Sequence, residues 1–139
     1  MSISNVRSFY RTQLETLGFD EWTDGFNFEN IPSTILDKSF HIDVEPSTGG
    51  VINQHAQNVD MPVIIRVFRK GFRDPSNGID LALLDVETII CAILAPSVRL
   101  SSDIKNVVLE GFSVNPLADS NDNAIMVEIN FTNNLILEI

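Results

Sequence analysis

The 139-residue sequence predicts an α+β domain: a small, mostly antiparallel four-stranded sheet packed by two helices. Three observations carry that expectation. Apolar residues recur at three- and four-residue steps near the N-terminus, which is the helical period. Two later segments are strand-like, the first strictly alternating and the second apolar on both faces. A nearly all-apolar helical run and a final hairpin pattern complete the order.

Residues 1–139 are long enough for one domain with a real core, and too short for two. A hydrophobic content of 44% excludes a disordered chain. Cys91, the single cysteine, cannot form an internal disulfide, which fits a reducing compartment. Met1–Asn5 shows no basic region ahead of an apolar stretch, so no signal peptide is expected. The run from Leu81 to Ala95 contains Asp85 and Glu87 and is too short for a bilayer, so the expectation is a soluble protein with no membrane partner. A formal charge of −10 argues against tight binding to nucleic acid, where affinity scales with Lys and Arg contacts to phosphate.

Ser2 or Ser4 can cap the first helix, and Val6, Phe9, Tyr10, Leu14 and Leu17 form its buried face. Gly18 and Phe19 then supply a C-terminal cap with its hydrophobic contact. The connector from Asp20 to Pro32 holds Asp20, Glu21, Asp24 and Glu29 among three aromatic residues. It reads either as a solvated loop pinned by its aromatics or as a partner surface. From Thr34 to Val44, Leu36, Phe40, Ile42 and Val44 alternate with Asp37, Ser39, His41 and Asp43, giving a half-buried strand.

Glu45–Asn58 (residues 45–58) contains Pro46 and Gly49-Gly50 and predicts a flexible loop. Val51 and Ile52 within it are candidates to dock on a partner, since a solvating linker gains nothing from them. Val59–Lys70 reads as a second strand, with Met61, Val63, Ile65 and Val67 on one side and Ile64 and Phe68 on the other; such a strand is central or covered twice. A turn follows at Asp74-Pro75-Ser76-Asn77-Gly78, then a helix from Asp80 to about Ala95. That helix is apolar around its circumference, which requires burial on all sides and makes a second subunit a natural cover. Asn106–Val114 and Ala124–Thr132 form the last two strands, and residues 135–139 are an apolar tail that needs a dock or a partner.

No catalytic, cofactor or metal site is legible. His41 and His55 lack convergent metal ligands, and Cys91, inside an apolar run, reads as a buried structural thiol. Asp119-x-Asn121-x-Asn123 begins like a calcium loop, but Ala124 replaces the glycine and Asn130 the closing carboxylate. Gly49-Gly50 has no following lysine, so it is no phosphate loop. Asn130-Phe131-Thr132 matches a glycosylation acceptor without a secretory context. Four of the nine basic residues, Arg66, Arg69, Lys70 and Arg73, fall within eight positions. They read either as a solvated strand end or as a patch for a neighbour's carboxylates, such as Asp20, Glu21 and Asp24 of a second copy.

This layout resembles the tail terminator, or tail completion, proteins of long-tailed bacteriophages. The likeness covers nearly the whole chain: the helix at Ser4–Leu17, the Ile31-Pro32 strand entry, the Val59–Lys70 strand, the Asp80–Ala95 helix and the final hairpin. It implies a structural virion protein of the tail, not an enzyme, assembled in the host cytoplasm as a ring, expected to be hexameric. Such a ring would cap the tail tube protein, meet the head connector protein and let DNA pass without specific binding. A neck or tube-like subunit is the neighbouring alternative. A small bacterial adaptor or an enzyme domain built on His41, Asp43 and Arg66 is the alternative from another class.

Overall fold

In the computed structural model, residues 3–21, 38–45, 48–53, 56–69, 75–95, 106–116 and 125–138 are described. Their elements run α1 (Ile3–Thr16), β1 (Asp20–Glu21), β2 (Ser39–Val44), β3 (Thr48–Asn53), β4 (Ala56–Arg69), α2 (Pro75–Leu94), β5 (Asn106–Pro116) and β6 (Ile125–Glu138). The class is α+β, as expected. Among the described residues the sheet has six strands rather than four, in the order β1-β2-β4-β6-β5 with β3 also on β4, and only β1 pairs in parallel.

β4 is the central strand, as its apolar residues on both faces require. Met61, Val63, Ile65 and Val67 are buried on the helix side, and Phe68 is buried on the other. Its ladder with β6 runs unbroken from Ala56↔Glu138 to Arg69↔Ile125. Fourteen paired residues at about 3.4 Å each make a ribbon roughly 45 Å long. β2 covers Val63–Phe68 on the opposite side of β4, and β3 covers Ala56–Asp60. The register slips by one residue between them, and the Glu45 N–H donates to the Pro62 carbonyl there at 2.9 Å. Pro62 offers no N–H, so it fits where the β2–β3 partner is interrupted.

One expectation is corrected here. Glu45–Asn58 is not a free loop: Thr48–Asn53 forms β3, and Val51 lies opposite Gln57. β-branched Val51 and Ile52 suit a strand, and pairing along an already long β4 outweighs the conformational cost of two glycines. Of the two alternatives for the apolar tail, a dock or a partner, the backbone takes the first: Leu135–Glu138 continues β6 and pairs with Ala56–Val59 of the same chain.

Both helices lie on one face of the sheet. α1 packs on β2 and β1, α2 packs on β6 and β5, and the helices touch each other. Val6, Phe9, Tyr10 and Leu14 are the buried stripe of α1. Its end is a Schellman cap: Gly18, at φ +94°, donates to Glu15 O at 3.0 Å, and Phe19 donates to Leu14 O at 3.1 Å. Phe19 and Leu14 both join the core cluster, which completes the cap's hydrophobic contact. α2 begins at Pro75, earlier than the predicted Asp80, because proline is favoured in a first helical turn.

One polar bridge crosses this core. The Tyr10 hydroxyl donates to Asn133 Oδ1 at 2.6 Å, and Asn133 Nδ2 donates to the Met61 carbonyl at 3.2 Å. Tyr10 and Asn133 are fully buried, so each needs the other. Burial pushes the Tyr10 phenol well above its ordinary 10.0, with the Asn133 bond opposing in part. Its folded pKa therefore exceeds the unfolded one, and its contribution is present below pH 10.0 and lost as pH rises beyond it. Tyr10→Phe should remove that part of the alkaline loss. Tyr10→Phe and Asn133→Leu should each cost roughly 1–3 kcal/mol in urea unfolding, and the double variant less than their sum. Strict additivity would show that the bridge contributes nothing.

Candidate interaction surface

The sequence-predicted basic patch divides between the two faces of the sheet. Arg69, at the end of β4, reaches back to α2: its Nε lies 2.5 Å from Asp85 Oδ2 and its Nη2 2.6 Å from Asp85 Oδ1. Both side chains are largely buried, at 13% and 9% exposure. The guanidinium also sits over the Phe19 ring, 5.8 Å from its centroid. Arg69 thus ties β4, α2 and the α1 cap together within one chain. Its assignment as a subunit contact gives way to this internal role. Arg66 lies on the helix-free face between Asp43 of β2, at 3.4 Å, and Glu128 of β6, at 3.9 Å. Lys70 and Arg73 fall outside the described residues.

The acidic connector divides similarly. Glu21 is held by Arg7 and by Arg11, whose Nε is 3.0 Å away. Arg11 also pairs with Glu15 at 3.1 Å, and the bond and charge of Glu15, then the charge of Glu21, raise its pKa further. Asp20 is exposed, at the parallel contact with Ser39, and Asp24 lies outside the described residues. Val51 and Ile52 sit on β3, which pairs with β4 alone. His41, Asp43 and Arg66 come close on the helix-free face, where His41 lies opposite Arg66 in the ladder. Ser39, predicted on the wet side of β2, is buried beside its register partner Phe68. Among the described residues, no group of three His, Cys, Asp or Glu side chains converges as for a metal ion.

α2 supplies what the sequence pattern missed. Among the described residues of α2, only the stripe Ala82, Asp85, Val86, Ile89 and Ile93 is buried. Ile79, Leu81, Leu83 and Leu84 are exposed, Leu84 by 56%, and Cys91 is exposed rather than buried. A single sheet covers one side of a helix, and α1 covers one flank; the remaining apolar surface faces outward. At 100° per residue, Leu83 lies about 160° around the helix from Asp85. Asp85 points toward Arg69 and β4, so Leu83 points toward the outer end of the sheet.

That end is β5, paired only with β6 among the described residues. A bulge between Leu109 and Gly111 resets its register, so Phe112 lies opposite buried Ile129 on the helix side. There it is 51% exposed, and Val108 on the other face is 46% exposed. Among the described residues β5 thus presents an 11-residue unpaired edge beside exposed leucines, and unpaired strand edges and apolar patches are the features that generally recruit partners. Nothing in residue spacing alone could show it, because the bulge and the outward half of α2 depend on tertiary packing.

A scan against family models finds no match for this chain, and a search of curated proteins finds no relative. Among the described residues, no helix is long and apolar enough to cross a membrane.

Arg69→Met should destabilise the folded chain by about 3 kcal/mol, because it strands the Asp85 carboxylate. Arg69→Met combined with Asp85→Leu should recover most of that loss, as read by chemical unfolding. Unchanged unfolding in the single variant would remove the pair from the fold and return Arg69 to a role between subunits.

Proposed function

We propose that this protein is a structural assembly subunit of the tail terminator type, forming a closed ring that caps a tail tube and meets a head connector. The observation that carries the reading is the exposed apolar flank of α2 beside the open edge of β5. A monomeric domain gains nothing from leaving Leu83, Leu84 and Phe112 in water, whereas a subunit gains their burial on docking. The long β4–β6 ribbon suits the same role, because it gives a rigid sheet on which such an edge keeps its geometry.

Charge supports a ring around DNA. Six copies would carry about −60 formal charge, six times the −10 of one chain. Phosphates gain no counterion release from such a wall, so nucleic acid passes without being held. A head-to-tail neck subunit would use the same surfaces and differ in its neighbours. The virion tail is the location this reading assigns.

Sedimentation velocity with negative-stain imaging tests it. The expected result is a closed ring, formed by the protein alone or on addition of a tube end. A strict monomer at about 100 μM with tube protein present would sink the proposal.

A further inference from the structure

We infer that two copies of this chain join head to tail, the outer edge of β5 and the outer flank of α2 on one copy meeting the α1–β2 end of the sheet on the next. This rests on the assembly reading above and names the surfaces that would perform it. The two ends of the sheet are complementary in backbone terms. Among the described residues, β5 offers a long open edge at one end. At the other, β1 covers only Ser39 and Phe40, so the outer side of Ile42–Val44, continued by β3, meets no further strand among the described residues. Joining one edge to the other extends a single sheet from copy to copy.

The helix layer is complementary too. Because both helices lie on the same face, edge-to-edge joining brings α2 of one copy beside α1 of the next. The flank of α1 turned outward is the one bearing Arg7 and Arg11, since both reach Glu21 on the outermost strand. Among the described residues, the two exposed cations, Arg11 and Lys38, and half-buried Arg7 all lie at this end, where they offset Glu15, Asp20 and Glu21. The other two, Arg66 and Arg69, are 20% and 13% exposed and held by internal carboxylates. The described parts of α2 and β5 contain no cation, and their exposed charges are Asp80, Glu87 and Glu110. Arginine stems from α1 can also cover Leu83 and Phe112 while their charged heads meet these acids.

A two-fold contact between identical β5 edges lacks this match. Antiparallel pairing about Gly111 would bring Glu110 of each copy near the other, with Glu87 repeated beside them. Head-to-tail pairing instead sets the cation-free α2–β5 end against the α1 end, where Arg7, Arg11 and Lys38 balance the acids, and leaves the pair with one free end of each kind.

The test uses one variant for each end. Phe112→Glu disables the β5 end, with Leu83→Glu as its replacement should that chain fail to fold. Lys38→Glu with Arg11→Glu disables the α1 end; both side chains are exposed, and circular dichroism checks that each variant melts as the parent does. Each variant alone should associate at least about tenfold more weakly than the parent in sedimentation equilibrium. An equimolar mixture should form a one-to-one dimer and stop, because each copy keeps one intact end. A mixture that stays monomeric, or variants that assemble like the parent, would overturn these surfaces while leaving self-association in place. A parent chain that remains monomeric to about 1 mM would overturn both the surfaces and self-association.

Discussion

The β4–β6 ladder is the constraint on which the rest of the molecule depends. Its fourteen pairs place Val63, Ile65 and Val67 beside Phe131, Ile129 and Val127, six fully or almost fully buried side chains on one face. Every other element is positioned by what it adds to this ribbon. β2 and β3 complete one side of β4, β5 completes the far side of β6, and both helices cover the apolar face. The Tyr10–Asn133–Met61 bridge stitches α1 to the ribbon, and Arg69–Asp85 stitches α2 to it. These polar links matter because each is buried, so a mispositioned helix would leave unpaired groups in a dry core.

The same arrangement leaves one end unfinished. A sheet that grows outward from a central ribbon needs a terminator at each edge, such as a short strand, a bulge or a charge. At the α1 end β1 is a two-residue strand backed by the Arg7–Glu21–Arg11 cluster. At the α2 end the only devices among the described residues are the bulge and exposed Glu110, set beside Phe112 and the leucines of α2. These limit uncontrolled pairing without covering the apolar surface. This asymmetry between the two ends is the basis of the ordered, directional contact proposed above.

Much of the fold was legible in the residues because local signals agreed with it. The Val6–Leu17 periodicity, the Gly18-Phe19 cap and the two-faced apolar pattern of β4 each arise from short-range physics. What escaped were features decided across long separations. Val51 and Ile52 looked like a loop because Gly49-Gly50 weakens any local strand signal, yet β4 supplies a partner. Leu135–Glu138 gave no sign of its dock because that dock, Ala56–Val59, lies nearly eighty residues earlier. α2 looked wholly buried because composition cannot say which half of a helix meets a sheet. Arg66 and Arg69 looked like one patch, although alternation along a strand sends them to opposite faces. The candidate surface was therefore foreseen as a need, through the excess of apolar residues, but not as a place.

Hydrogen exchange across β5 is the most direct measure of the central claim that this edge is sealed by a neighbour. Exchange in residues 106–116 should slow as the protein passes from free subunit to assembled particle, while exchange in Val63–Phe68, paired on both sides within the chain, stays unchanged. Equal exchange of residues 106–116 in both states would contradict the account, because a paired edge cannot leave its outward amides as open as an unpaired one.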